Sequence, residues 1–244
     1  MSFFKRSYEN PIIVPQSDLA WQAEGAFNGS VWRDKGKTHI VYRAQSLPLL
    51  HDGGPWLSIS SIGYSSSADG IHFKKHVLLI TPEEKWERFG CEDPRSTKID
   101  DTYFIFYTAL SEFPFRAEGI KTAVALSKDM KKIDERHLVT PFNSKAMALF
   151  PEKIGGKYYA LVTPDTDRPP AKIALASFSK IEDLWNQPRW KRWYESLDKH
   201  TLKLSRHEDD QVEFGAPPIK TKHGWLILYS YIRNYRSGTP LFTV

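Results

Sequence analysis

Short apolar runs, each closed by a tight turn, recur along the whole chain. His39-Ile40-Val41-Tyr42-Arg43-Ala44 follows the turn Arg33-Asp34-Lys35-Gly36-Lys37. Residues 103–109 follow the turn 98–101, residues 158–163 follow 153–157, and residues 225–230 follow 220–224. Runs of this length, rich in β-branched and aromatic residues and bounded by Gly or Asp, predict hairpins. After each of the first three comes another strand ending in a Ser/Asp-rich turn, at residues 62–70, 122–129 and from 173 onward. Tyr42, Tyr107, Val162 and Tyr229 are separated by 65, 55 and 67 residues, periods that suit four-stranded units with long loops. No convincing amphipathic helix lies between the units. The repeat therefore predicts an all-β chain folded as a β-propeller, one domain over residues 1–244. Only residues 184–204 stay open, as a short helix or a long aromatic loop. Residues 10–15, with Pro11 and Pro15, read as extended. Four units are present and residues 240–244 read as the opening of a further strand, so the sequence is expected to be C-terminally incomplete.

One stretch concentrates charge: Gly90-Cys91-Glu92-Asp93-Pro94-Arg95. On an extended segment adjacent side chains face opposite sides. One of Glu92 and Asp93 is then expected to enter a site while the other is tied up, for instance by Arg95. Taken alone, the stretch reads as an exposed turn. The repeat changes its weight. Asp93 precedes Tyr107 by the same 14 residues that separate Asn28 from Tyr42, and that offset selects Ala148 and Gly215 in the other units. These positions should open the innermost strands around a central channel. Lys145 and Glu213 lie beside the two small residues, which makes the channel mouth a polar pocket with acid–base groups. Solvated strand openings remain a comparable reading.

Composition narrows the class. The chain is 41% hydrophobic and 26% charged, which suits a soluble globular protein. Aromatics reach 14%, including 8 Trp and 11 Tyr, as expected of a strand-rich core or a sugar-stacking surface. The single cysteine, Cys91, excludes an internal disulfide and points to a reducing compartment. Cys91 itself reads as a small buried residue. No Cys/His metal spacing, no membrane-length apolar run and no signal-peptide core in residues 1–5 are seen. A cytoplasmic protein is expected. The net charge of +5 is spread among acids and no nucleic-acid-binding motif accompanies it, so no nucleic-acid partner is expected.

The hexapeptide, with Ala26-Phe27-Asn28, Val41-Tyr42-Arg43-Ala44, Ser61-Ile62-Gly63-Tyr64, Leu149-Phe150-Pro151-Glu152 and Pro217-Pro218-Ile219, resembles glycoside hydrolase family 130. That family contains β-mannoside phosphorylases and related β-mannosidases. The resemblance runs from about Asn10 to the end of the chain. It implies a five-bladed β-propeller of which this chain covers about four blades and ends at the start of the next. It also implies that Asp93 is the general acid, acting partly through a hydroxyl of the bound mannose. By the same likeness Asn28, Arg43 and Lys145 hold the mannose or the incoming group; Arg95 is expected to help shape the sugar and nucleophile site. A further site aspartate of the family would lie beyond Val244. Homo-oligomers are common in the family.

The expected activity is cleavage of β-linked mannosides or manno-oligosaccharides with inversion, with no cofactor or metal. Phosphorolysis to mannose 1-phosphate leads, with inorganic phosphate as co-substrate held by cationic side chains. The chain departs from the phosphorylases at Ser230, at Thr163-Pro164 and near Lys121, where the family tends to place phosphate ligands. Lys145, Arg168 and Lys121 are the phosphate ligands expected in their place. Hydrolysis, with Glu213 as the base that activates water, is the alternative. A non-catalytic sugar-binding propeller is the second. Trp56, Trp86, Trp185, Trp190 and Trp193 are read first as packing residues.

Overall fold

The computed structural model describes residues 7–51 and 54–243, and strands form where the apolar runs place them. Residues 1–5, which carried the leader expectation, and Val244 lie outside the described residues, whereas residues 241–243, expected to open a further unit, pair instead as the third strand of the fourth sheet. β1 (Gly25–Asp34) and β2 (Lys37–Gln45) form the first hairpin. A short ribbon of β3 (Leu49–Leu50) and β4 (Trp56–Leu57) precedes β5 (Ser60–Ser67) and β6 (Val77–Ile80). The resulting antiparallel sheet has the order β1-β2-β5-β6. The second contains β7 (Gly90–Ile99), β8 (Thr102–Leu110), β9 (Ile120–Ser127) and β10 (Glu135–Leu138), paired in sequence. The third has three strands, β11 (Ser144–Leu149), β12 (Tyr158–Pro164) and β13 (Ala174–Phe178).

The open segment 184–204 resolves to a helix, α1 (Gln187–Glu195), between two 3-10 turns, Ile181–Trp185 and Leu197–Lys199. Asn186 caps it: its side chain accepts from the Arg189 N–H, and Pro188 sits in the first turn, where its missing donor costs nothing. Trp190 anchors the helix in the core. The fourth sheet follows, with β14 (Gln211–Thr221), β15 (Gly224–Arg233) and β16 (Leu241–Thr243).

The sheets are stacked face to face, and alternation along the strands builds the core between them. In β8, Phe104 and Phe106 point to the third sheet, where they meet Met147, Leu149 and Val162. Tyr103, Ile105 and Tyr107 point the other way, to Val41 and Ile62 of the first sheet. Both faces of β8 are thus buried, which is why its sequence is apolar almost throughout. A third cluster joins Ala148 and Leu161 to Val212 and Phe214 of the fourth sheet. Ile12, Ile13 and Trp21 from the opening segment cover the outer face of the first sheet. β7 touches both β1 and β11, and β11 touches β14, so the first strands of the sheets gather side by side. Among the described residues they do not close into a ring: β1, β7 and β14 border a cavity of about 590 Å³. No helix among these residues is long and apolar enough to cross a membrane.

Candidate functional site

The site is made by repeated bulges in the first strands. In β1, Phe27 faces Arg43 and Ser30 faces Val41, so Asn28 and Gly29 stand opposite Tyr42 alone. In β7, Glu92 faces Thr108 and Arg95 faces Phe106, so Asp93 and Pro94 stand opposite Tyr107. Both bulges need a left-handed residue, and φ is 51° at Asn28 and at Asp93. Asn and Asp are the non-glycine residues that adopt this conformation at least cost. The same bulge in β11 falls between Lys145 and Ala148, with Ala146 at φ 46°. Ala146, not Ala148, is therefore the equivalent of Asp93. The β11–β12 connection is longer than the two-residue turns Lys35-Gly36 and Asp100-Asp101, so a fixed offset from the second strand lands two residues late. In β14 the register shifts twice, at Gly215 and at Pro217-Pro218, and Gly215, the position that the spacing selects, is not left-handed.

The bulge overturns the simple alternation expected of Glu92 and Asp93. Both carboxylates turn toward Arg43: Nη2 lies 2.6 Å from Glu92 Oε1 and Nη1 3.6 Å from Asp93 Oδ1. Asn28 Nδ2 donates to Asp93 Oδ1 at 2.8 Å. Arg43 Nε donates to Ser60 Oγ (3.0 Å), which in turn donates to Glu92 Oε1 (3.1 Å). The Arg43 guanidinium also lies 4.9 Å from the centroid of the Phe27 ring. Arg43, and not Arg95, is the counter-charge of this pair. Arg95 Nη1 donates to the backbone carbonyls of Asp93 (3.2 Å) and Pro94 (3.0 Å), bracing the bulge from within.

Lys145 forms the other pole. Its Nζ donates to Asp167 Oδ1 at 2.9 Å. Asp167 Oδ2 accepts from Asn143 Nδ2 (2.9 Å) and Thr166 Oγ1 (3.1 Å), while its own N–H donates to Asn143 Oδ1 (3.0 Å). Asn143 also donates to the carbonyl of Ile120 at 3.3 Å, tying this loop to the second sheet. Burial works against the Lys145 charge, yet Asp167, Glu213 and Glu92 outweigh it and hold the ammonium above its ordinary value. Asp167 is held below the usual carboxylate range: burial opposes this, but Lys145 and the Asn143, Lys145 and Thr166 hydrogen bonds prevail.

Two other carboxyls are lifted. Burial raises Glu92 against the pull of Arg43, with Asp93 adding to the rise. Burial likewise raises Glu213, opposed by Lys145 and Arg95 and reinforced by Asp93 and Asp167. Asn28, Arg43, Asp93, Arg95, Lys145 and Glu213 are thus linked by contact or by charge. Lys121 and Arg168 are not drawn into that group: Arg168 is half exposed and ion-paired with Glu118, and Lys121 sits on β9 opposite Ala109. Cys91 is buried and burial pushes its thiol up, which suits packing and not nucleophilic attack.

Sequence reasoning missed Ser60, Asn143 and Asp167. The run Asp165-Thr166-Asp167 directly after an apolar strand was the available signal for the last. Ser60 and Asn143 carry none, because their roles come from strands paired across the fold.

The family model for β-1,4-mannooligosaccharide phosphorylases, glycoside hydrolase family 130, matches residues 9–239. A 1,2-β-oligomannan phosphorylase from Thermoanaerobacter sp. (strain X514) is 33% identical over 243 residues, 97% of this chain and 75% of the relative. A β-1,2-mannobiose phosphorylase from Listeria innocua is 33% identical, over 92% of this chain and 73% of its own. A solved structure of β-1,2-mannobiose phosphorylase from Listeria innocua, bound to β-1,2-mannobiose, superposes with a TM-score of 0.70. It is 28% identical and covers 92% of this chain and 74% of that one. With its paired bulges, its shared arginine and these relatives, the chain belongs to glycoside hydrolase family 130, the family of the β-mannoside phosphorylases.

Proposed function

We propose that the protein cleaves β-linked mannosides by phosphorolysis with inversion, with Asp93 as general acid and inorganic phosphate as nucleophile. In this reading the four stacked sheets are four blades of a five-bladed propeller. A phosphate oxygen attacks the anomeric carbon from the face opposite the glycosidic oxygen. The glycosidic bond breaks, its oxygen takes the proton supplied by Asp93, and mannose 1-phosphate leaves. Asn28 and Arg43 hold Asp93 and the sugar hydroxyls beside it, and Lys145 supplies positive charge on the nucleophile side. The observation that carries the proposal is the junction of Asn28, Arg43 and Asp93, brought together from two sheets by matching bulges. The relatives at 33% identity are named for β-1,2 linkages, so β-1,2-manno-oligosaccharides are the substrates to try first.

A specific observation favours hydrolysis as a second reading. Arg43 and Lys145 are each already paired with a carboxylate, and Arg95 gives its Nη1 to backbone carbonyls. The Glu213 side chain makes no hydrogen bond or ion pair among the described residues and is lifted by burial, as a base near neutral pH requires. Incubation with β-1,2-mannobiose, with and without phosphate, separates the two. Mannose 1-phosphate formed only with phosphate supports phosphorolysis. Free mannose at equal rates in both supports hydrolysis through Glu213. No product from the wild-type protein on any β-mannoside overturns both.

A further inference from the structure

We propose that Asp167 is a positioning residue of this site, fixing the Lys145 ammonium and setting the charge that the incoming nucleophile meets. The inference rests on the reading above in assigning Lys145 to the nucleophile side. It starts from an asymmetry in hydrogen bonding. A lysine on a four-carbon stem has three rotatable donors and no built-in geometry, so its ammonium points wherever a partner is fixed. Here the partner is fixed on all sides. Asp167 Oδ1 takes Lys145 at 2.9 Å, while Oδ2 is filled by Asn143 and Thr166 and the backbone N–H is taken by Asn143. Thr166 is pinned through its carbonyl by Gln211 Nε2 of β14 at 3.1 Å. Asn143 reaches the carbonyls of Ala117 (3.1 Å) and Ile120 (3.3 Å) in the second sheet's β8–β9 region. The loop holding Asp167 is thus braced against three sheets, and the carboxylate has little freedom to leave the lysine.

The charged groups facing Lys145 come from three elements: Asp167 from the loop after β12, Glu213 from β14 and Glu92 from β7. Among the described residues only Asp167 touches it; the other two act across space. Asp167 therefore does two things at once. It orients the ammonium and it keeps that group charged, at the cost of placing a negative charge beside any phosphate that binds there. A chain in which the lysine is already neutralised binds a phosphate dianion less tightly than one with a free lysine, and discriminates less strongly between phosphate and water.

The test uses Asp167→Asn and Asp167→Glu, each alone and on a Lys145→Ala background, with β-1,2-mannobiose as donor. Asp167→Asn is expected to lower kcat at least tenfold through misplacement of Lys145, while the KM for phosphate changes less or falls. The alkaline limb of its pH–rate profile should move to lower pH, because the carboxylate that sustains the lysine charge is gone. Asp167→Glu should restore part of the rate. On the Lys145→Ala background, Asp167→Asn should add no further loss, since residues acting through one another are not additive. Losses that multiply, or an alkaline limb that stays in place, overturn the proposal. A readout free of turnover decides the point separately: titration of the Lys145 side chain by NMR in wild-type and Asp167→Asn protein. A lowered midpoint in the variant supports the proposal, and an unchanged one overturns it. If wild-type protein turns over no β-mannoside, the functional reading falls and the titration alone judges Asp167. Should Asp167→Asn fail to fold, Asp167→Glu carries both measurements.

Discussion

Arg43→Met removes the guanidinium that Glu92 and Asp93 share while leaving an apolar stem near Phe27. In the folded protein Nη2 lies 2.6 Å from Glu92 Oε1, with the two side chains only 18% and 15% exposed. Deleting one partner of a fully buried ion pair costs about 3–5 kcal/mol, because the remaining charge sits in a poor solvent. A hydrogen bond to a charged group that water can partly reach contributes about 1.5–3 kcal/mol. The residual exposure places Arg43→Met toward the lower range, about 2 kcal/mol at pH 8. That cost must depend on pH. Burial and the neighbouring Asp93 already push Glu92 up, and Arg43 is the group that opposes them. Without Arg43 the folded-state pKa climbs further above the unfolded one. The folded variant then keeps a proton that the unfolded chain has released, so its stability falls as pH rises through that window. Urea unfolding at pH 5 and pH 8 should show a deficit that is clearly larger at pH 8. Arg43→Met/Glu92→Gln should recover much of it. A deficit equal at both pH values, or one under about 0.5 kcal/mol at pH 8, would refute the assignment of Arg43 as the counter-charge of Glu92.

Other changes probe the same construction. Asn28→Gly keeps the left-handed backbone and deletes only the bond to Asp93, whereas Asn28→Ala also strains the bulge; unfolding should rank Gly above Ala by about 1 kcal/mol. Equal stabilities would mean the bulge relaxes. Glu213→Gln should stabilise the protein at pH 8 more than at pH 5, because a carboxyl raised by burial loses stability as pH climbs past its unfolded value. Melting temperatures at the two pH values check this, and a gain that does not grow with pH contradicts it. Glu87 is fully buried, 2.6 Å from Arg136 Nη1, and accepts from the Tyr107 hydroxyl. Glu87→Gln should therefore cost about 3 kcal/mol in urea, and a loss under about 1 kcal/mol would show that Arg136 finds another partner.

The strand pattern was legible because its cause is local. β8 and β12 are apolar along their length since each is sandwiched between two sheets, and turn residues such as Lys35-Gly36 mark where hairpins reverse. The helix α1 was harder: residues 184–204 allow a short helix or a long aromatic loop until Asn186 and Pro188 are recognised as its start. Matching Asn28 with Asp93 from spacing worked because their hairpins share a two-residue turn. It slipped at Ala148 because β11 and β12 are joined by a longer connection.

The sequence by itself determined the all-β character, the four repeating units and the equivalence of Asn28 and Asp93 between units, all of which follow from side-chain period and turn chemistry. Tertiary structure alone decided who partners whom. Two adjacent acids, Glu92 and Asp93, meet one arginine because a left-handed residue breaks the alternation that an extended strand would impose. Lys145 is held by Asp167, 22 residues away, because β12 returns the chain beside β11. Hydrogen bonds and ion pairs depend on distance in space, and only the stacking of the sheets sets that distance.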